Sequence, residues 1–309
     1  MKEGRTLLLL GAGGFVGGHV AAAAAAAGLR VVRATRTAAG PACDLLDPAS
    51  ISSCLREARP DLVVNAAGSA SVGRSWQQPA ETFAVNTAGV LNLLEAVGRK
   101  APAAHVLCLS SADVYGIRSA AELPLAEGFE PRPVTPYGAS KAAMETICGQ
   151  YARGRGLRIA VARLFNLIGP GQSDRFAVPG FARRIAAAER AGEGGVELAL
   201  GNPDAVRDFV DVREGAAALV ELSRREASGT FNLCSGRGTS IAALVEELGR
   251  QARVPVTVRP DPDLARPADP PALVGDPARL REAIGSAPEL ALGQSLADLL
   301  AWTRQQPPA

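Results

Sequence analysis

The chain has 309 residues, 47% hydrophobic and 21% charged, which excludes a disordered chain and suits one large domain or two modest ones sharing a core. Lysine and arginine number 33 against 31 aspartate and glutamate, so bulk charge drives neither nucleic-acid nor membrane-surface binding. The five cysteines, Cys43, Cys54, Cys108, Cys148 and Cys234, are scattered without a CxxC pair. With only two histidines beside them, they indicate no metal site and no disulfide framework, and a reducing cytoplasm fits them best.

Residues 7–32, LLLLGAGGFVGGHVAAAAAAAGLRVV, allow two readings. Behind Lys2 and Arg5 they have the basic start and apolar middle of a secretory leader. They also read as a strand (Thr6–Leu10), a glycine turn, an alanine-rich helix (His19–Ala27) and a second strand (Leu29–Ala34). Glycines and His19 keep the run below the roughly 18 to 20 apolar residues of a membrane span. Gly11, Gly14 and Gly17 form G-x-x-G-x-x-G between strand and helix. A diphosphate approaches backbone only where side chains are missing, and the helix N-terminus offers free N–H groups and a positive dipole end. That context selects the nucleotide-binding reading. The second strand ends in Arg33, Ala34, Thr35 and Arg36, where an NAD enzyme carries an acid for the ribose hydroxyls. Arg33 and Arg36 suit the extra phosphate of NADP, so NADP is preferred and NAD is the alternative.

Strands follow at 61–65, 104–110 and 157–165, with helical patterns at 79–99 and 140–153 between them. This alternation implies a parallel sheet covered on both faces. Beyond Asn166 the pattern is less regular, 259–271 reads as a proline-rich loop, and short amphipathic helices are expected near 240–253 and 295–304. The division expected is a nucleotide domain over 1–165, rejoined by parts of 205–235, and a smaller domain over 166–309.

Within Val134–Lys141 (VTPYGASK), Tyr137 and Lys141 are four apart and share one helix face. A phenol is a poor acid or base near neutrality unless a neighbouring cation, such as the lysine or a nicotinamide ring, stabilises its anion. The segment Leu109–Gly116 (LSSADVYG) closes a strand, where parallel-sheet enzymes place working groups.

Together with Asn65-Ala66-Ala67-Gly68, Asn86 in AVNTAGVLNLLEA, RLFNLIGP at 163–170, RDFVDV at 207–212 and FNLCSG at 231–236, these motifs resemble the extended short-chain dehydrogenase/reductases acting on nucleotide sugars. The resemblance spans nearly the whole chain. It implies an α/β, Rossmann-type doubly wound parallel sheet with a smaller α/β substrate-binding domain. It maps a catalytic triad onto Ser111, Tyr137 and Lys141. Cofactor contacts would come from Gly11, Gly14, Phe15, Val16, Gly17, Arg33, Arg36, Asp44, Leu45, Ala66, Ala67, Gly68, Asn86 and Phe165, with Asp44 near the adenine. Substrate contacts would come from Ser111, Ala112, Asp113, Asn166, Arg207 and Arg266. Arg207 also stands independently, since a guanidinium fork matches phosphate oxygens. A 4,6-dehydratase needs an acidic pair after the serine or threonine, whereas Ala112 precedes Asp113 here. CDLLDPAS, FNLIGPGQSD, VRDFVDV and FNLCSG look most like the reductases of GDP-linked 4-keto-6-deoxy-mannose. Reduction of a GDP-, UDP- or dTDP-linked 4-keto sugar is therefore expected, with 4-epimerisation on tightly held NAD as the alternative. Helices 79–99 and 140–153 are similar to those that pair two subunits in this family, so a homodimer is expected.

Overall fold

The computed structural model describes residues 4–36, 42–264 and 268–307. In chain order come β1 (Thr6–Leu10), α1 (Phe15–Ala26), β2 (Arg30–Ala34), α2 (Pro48–Ala58), β3 (Leu62–Asn65), α3 (Val72–Gln77) and α4 (Pro79–Phe83). A π-turn at Ala84–Ala88 leads into α5 (Gly89–Lys100), β4 (His105–Ser111), α6 (Pro136–Arg155) and β5 (Arg158–Leu164). Next are β6 (Asn166–Ile168), α7 (Ala177–Ala191), β7 (Val196–Leu200), β8 (Val206–Asp211), α8 (Val212–Arg224), β9 (Gly229–Leu233) and β10 (Gly238–Ser240). The described chain ends with α9 (Ile241–Arg250), β11 (Val256–Pro260), β12 (Ala272–Leu273), α10 (Ala278–Ile284) and α11 (Leu292–Arg304).

Six parallel strands form the main sheet in the order β2-β1-β3-β4-β5-β9. Alternate side chains of a strand face opposite sides of its sheet. Leu7 and Leu9 therefore pack with Val20, Ala24, Leu219 and Leu222 of α1 and α8. Leu8 and Leu10 pack with Ile51, Leu55, Leu93, Val97 and Met144 of α2, α5 and α6. Strand order reverses between β1 and β3, and the crevice outside their carboxyl ends is where an open α/β sheet takes its ligand.

The second half is more regular than its sequence suggests. β8 pairs with β6 and β12 in parallel and with β10 antiparallel, while β7 and β11 form a separate parallel pair. A third core gathers Ile185 of α7, Leu248 of α9 and Leu299 of α11. In α7, Pro179 falls in the first turn, where its missing N–H has no helical partner to lose. Helix α6 starts at Pro136, four residues before the expected Ser140, because Pro136 suits the first helical position and the Thr135 hydroxyl accepts the Gly138 N–H at 2.9 Å. Tyr137 consequently sits in a first turn.

Candidate active site

Gly11 leaves β1 with φ of 76°, and a β-carbon there would lie 2.6 Å from Ala67 N and 2.8 Å from Ala66 O. A β-carbon on Gly17 would lie 2.1 Å from Gly11 O, so α1 rests directly on the end of β1. Gly14 caps α1 without a side-chain hydrogen bond, and the first turn carries no acid. Small backbone, free N–H groups and a positive dipole end fit a dinucleotide diphosphate. Val16 is half-buried beside this turn, and Phe15 meets His19 edge-on with ring centroids 5.6 Å apart. His19 Nε2 lies 2.9 Å from Pro170 O, tying the turn to the loop after β6.

Both Arg33 and Arg36 are exposed at the end of β2. Arg33 Nη2 donates to Ala12 O at 3.2 Å, which folds its guanidinium back over the glycine turn. Asp44 forms a tight turn in which its Oδ1 accepts the Leu46 N–H at 2.9 Å. Leu45 is buried, and its carbonyl accepts Asn92 Nδ2 at 3.0 Å.

Ala66, Ala67 and Gly68 continue from β3 over the same crevice. Asn86 is buried in the π-turn; its Oδ1 accepts Ser69 N–H at 2.8 Å, and its Nδ2 donates to Ser69 O and Ser140 Oγ, each at 3.0 Å. Such single-turn widenings re-aim a side chain out of an ordinary helical row. A β-carbon on Gly68 would lie 2.9 Å from Asn86 Oδ1 and 3.5 Å from Lys141 Nζ, so loop, π-turn and α6 converge here.

Ser111 ends β4, and Tyr137 and Lys141 face it from α6; these side chains are 7%, 8% and 8% exposed. Lys141 Nζ lies 5.9 Å from the Tyr137 ring centroid and donates to Leu109 O at 2.7 Å. Tyr137 N–H donates to Ser75 Oγ at 3.2 Å, which fixes the first turn of α6 against α3. Ser111 Oγ donates to Asp113 Oδ2 at 2.8 Å. Burial, and next the Asp113 carboxylate, push the Tyr137 phenol above its ordinary value, while a hydrogen bond with Ser111 opposes them. Burial pulls Lys141 down to about 8. The lysine was expected to stabilise the tyrosine anion; in the chain alone, burial and Asp113 act in the opposite sense, and the resident species is the phenol. A buried phenol beside a serine hydroxyl and a lysine is equipped to give a proton to a carbonyl oxygen.

Across the crevice, Asn166 is exposed in β6 opposite Phe209 of β8, two residues beyond Arg207. Arg207 pairs with Asp269, Nη2 to Oδ1 at 2.7 Å, and not with neighbouring Asp208. Asp208 is fully buried and accepts Ser235 N and Oγ, Gly236 N and Gly275 N, so it staples two loops. Ala112 is buried and Asp113 half-buried beside Ser111. The Phe165 side chain packs among Tyr115, Leu125, Cys234 and Leu273. Arg266 lies outside the described residues. Tyr115 is buried, its hydroxyl donating to Asn232 Oδ1 at 2.7 Å.

Sequence reasoning missed an anchor below the site. Arg163 of β5 pairs with Glu145 of α6 at 2.7 Å, and Ser110 donates to the same carboxylate at 2.5 Å, bracing α6 against the strand that carries Ser111. The available signal was an arginine inside an apolar strand, which is almost always paired. Among the described residues, no group of histidine, cysteine, aspartate or glutamate is arranged to hold a metal ion, and no helix is long and apolar enough to cross a membrane.

Comparison with known proteins places this geometry. The chain is 38% identical to the GDP-6-deoxy-D-mannose reductase of Pseudomonas aeruginosa, over 95% of each chain. It is 32% identical to the UDP-glucose 4-epimerase of Azospirillum brasilense, over 92% of this chain and 87% of that one. The solved structure of RMD from Pseudomonas aeruginosa complexed with NADPH superposes with a TM-score of 0.87 at 36% identity, covering 97% of this chain and 98% of that one. The family model described as the NAD dependent epimerase/dehydratase family matches residues 7–234, and the chain belongs to that family.

Proposed function

We propose that this protein is an NADPH-dependent reductase of a nucleotide-linked 4-keto-6-deoxy sugar, with GDP-4-keto-6-deoxy-mannose the first substrate to test. The observation that carries the reading is Arg33, held over the glycine turn through Ala12 O with Arg36 close behind it in the chain. Two exposed guanidiniums at the end of β2 suit a ribose 2′-phosphate and disfavour the NAD arrangement. Similarity to a GDP-6-deoxy-D-mannose reductase and to a protein solved with NADPH supports it further.

In this reading Gly11, Gly14, Phe15, Val16 and Gly17 cradle the diphosphate, Asp44 and Leu45 flank the adenine, and Ala66, Ala67, Gly68 and Asn86 line the crevice. NADPH, when bound, supplies the hydride for carbon 4. Tyr137 gives its phenolic proton to the carbonyl oxygen, and the Ser111 hydroxyl turns from Asp113 to donate to that oxygen. Lys141 holds the ribose and its cation steadies the tyrosine as the proton leaves. Arg207, Asn166 and Arg266 take the sugar nucleotide, so the Arg207 fork exchanges Asp269 for phosphate oxygens. Ala112 leaves Asp113 without the acidic neighbour that water elimination needs. Residues 166–309, apart from the returning parts of 205–235, which include α8 and β9, form the substrate-binding part. A homodimer through the helical stretch 79–99 and α6 is supported by Phe83 of α4 and Leu91 of α5, 37% and 39% exposed, and is checked by light scattering. A reducing cytoplasm is supported by five buried, unpaired cysteines.

The test begins with the cofactor. The protein is purified and denatured, any released nucleotide is identified, and NADPH and NADH are titrated by fluorescence. Preference for NADPH, with GDP-4-keto-6-deoxy-mannose reduced at 340 nm, is the expected result. Stoichiometric, tightly retained NAD and interconversion of UDP-sugars would instead establish the epimerase. Tyr137→Phe is expected to bind NADPH normally and to lose about 10²- to 10⁴-fold in kcat.

A further inference from the structure

We infer that Asp113 is a positioning residue for Tyr137: its carboxylate accepts the hydrogen bond of the Ser111 hydroxyl, so that a tyrosinate at Tyr137 must compete with Asp113 for that donor. The chemistry rests on the reductase reading above; the electrostatics do not. A serine hydroxyl has a single proton. That of Ser111 goes to Asp113 Oδ2 at 2.8 Å, while the Ser111 oxygen accepts the Asp113 backbone N–H at 3.2 Å. For Ser111 to stabilise a tyrosinate, its proton must leave a charge-assisted bond to the carboxylate. Asp113 is held close by backbone packing, since a β-carbon on Gly138, next to Tyr137, would lie 2.7 Å from Asp113 O. Glycine at 138 is what lets the turn after β4 press against the first turn of α6.

The groups around Tyr137 come from several elements. β4 and its turn present Ser111 and Asp113, α3 presents the neutral Ser75 hydroxyl, and the π-turn presents neutral Asn86, bonded to Ser140. Along α6, Lys141 is the opposing cation, with one Nζ proton already on Leu109 O, and Glu145 beyond it is paired with Arg163. Asp113 is thus the anion that opposes ionisation of Tyr137. Carbonyl reduction uses the phenol and consumes a proton each cycle, so a phenol that resists ionisation extends turnover to higher pH.

The chain has three tyrosines, which makes the ionisation directly readable. Protein labelled with 13C at the tyrosine ζ carbon is titrated by NMR with saturating NADP+, the Tyr137 signal being assigned by its loss in Tyr137→Phe. In Asp113→Asn the Tyr137 signal is expected to titrate at least about one pH unit lower, roughly a tenfold rise in tyrosinate at fixed pH. Asp113→Glu, which restores the charge, is expected to return the wild-type titration. The basic limb of kcat/KM for 4-keto reduction moves down with the signal in Asp113→Asn. Superimposable titrations of wild type and Asp113→Asn would overturn the inference, and Asp113→Ala provides the same comparison without an amide. A shifted titration in a protein that reduces no 4-keto sugar would overturn the reductase reading and leave the role of Asp113 standing.

Discussion

Lys141 shows what a working residue costs its fold. Its folded value of about 8 lies below the ordinary lysine value, so the unfolded chain binds its proton more tightly. Between about pH 8 and 10.4 the unfolded chain therefore holds more protons, and stability rises with pH. Below pH 8 the whole penalty is present, about 3 kcal/mol at roughly 1.4 kcal/mol per pH unit. Lys141→Met is accordingly expected to abolish turnover yet raise stability at pH 7 by about 1–2 kcal/mol, the loss of the Leu109 bond offsetting part of the gain. Urea unfolding at pH 7 and pH 10.5 checks this, and the gain should vanish at the higher pH. Among single residues the sequence revealed the tyrosine and lysine through their spacing and the glycines through their context. It did not reveal that Asp113 would oppose the lysine, because that depends on the close approach of two turns. Nor did it reveal that Asp269, far along the chain, would occupy Arg207 in place of adjacent Asp208.

At the level of elements, α1 and its two neighbouring glycines form a controlled pair. Gly17 faces the carbonyl of Gly11, whereas a β-carbon on Gly18 would meet nothing within 4 Å. Gly17→Ala is expected to lower stability by about 3 kcal/mol or more and abolish NADPH binding, by pushing α1 off β1. Gly18→Ala is expected to raise stability by roughly 0.5–1 kcal/mol through helix propensity, leaving binding intact. Thermal unfolding with and without NADPH separates them. β1, β3, β4 and β5 were legible because both their faces are largely buried, so each reads as a bounded apolar run, whereas the edge strand β2 is partly exposed and was legible from its place after the glycine turn and helix. The stretch 79–99 was read as one helix because apolar spacing does not report the extra backbone residue at 84–88 that turns Asn86 inward. In the second half, β6, β10 and β12 are two or three residues long, too short to carry a period.

Over the whole molecule, the third core depends on the joint between α7 and α11. Arg304 grips Glu189 through two bonds of 2.7 Å, and the same carboxylate accepts the Arg253 N–H at 2.8 Å. The Arg304 hydrogen bond holds the Glu189 carboxyl below its ordinary value. Its stabilising contribution is therefore complete above the unfolded value near 4.3 and is lost as pH falls through the lower folded value. Glu189→Gln is expected to cost about 1–2 kcal/mol at pH 7, and wild type and variant should converge as pH falls through the lowered folded value. Hydrogen exchange of the α11 amides reads this locally; a difference persisting in acid would assign the effect to packing.

The place of β9 governs how the chain is made. Its partner β5 ends at Leu164, and β9 begins at Gly229, after α7 and three strands that belong elsewhere and after α8, which packs back on the main sheet. A nascent chain leaving the ribosome therefore carries an open sheet edge, lined with unpaired backbone groups, until Leu233 has emerged. Elongation through that interval is the period in which chaperone cover matters most, and a truncation within it leaves an adhesive strand with no natural mate.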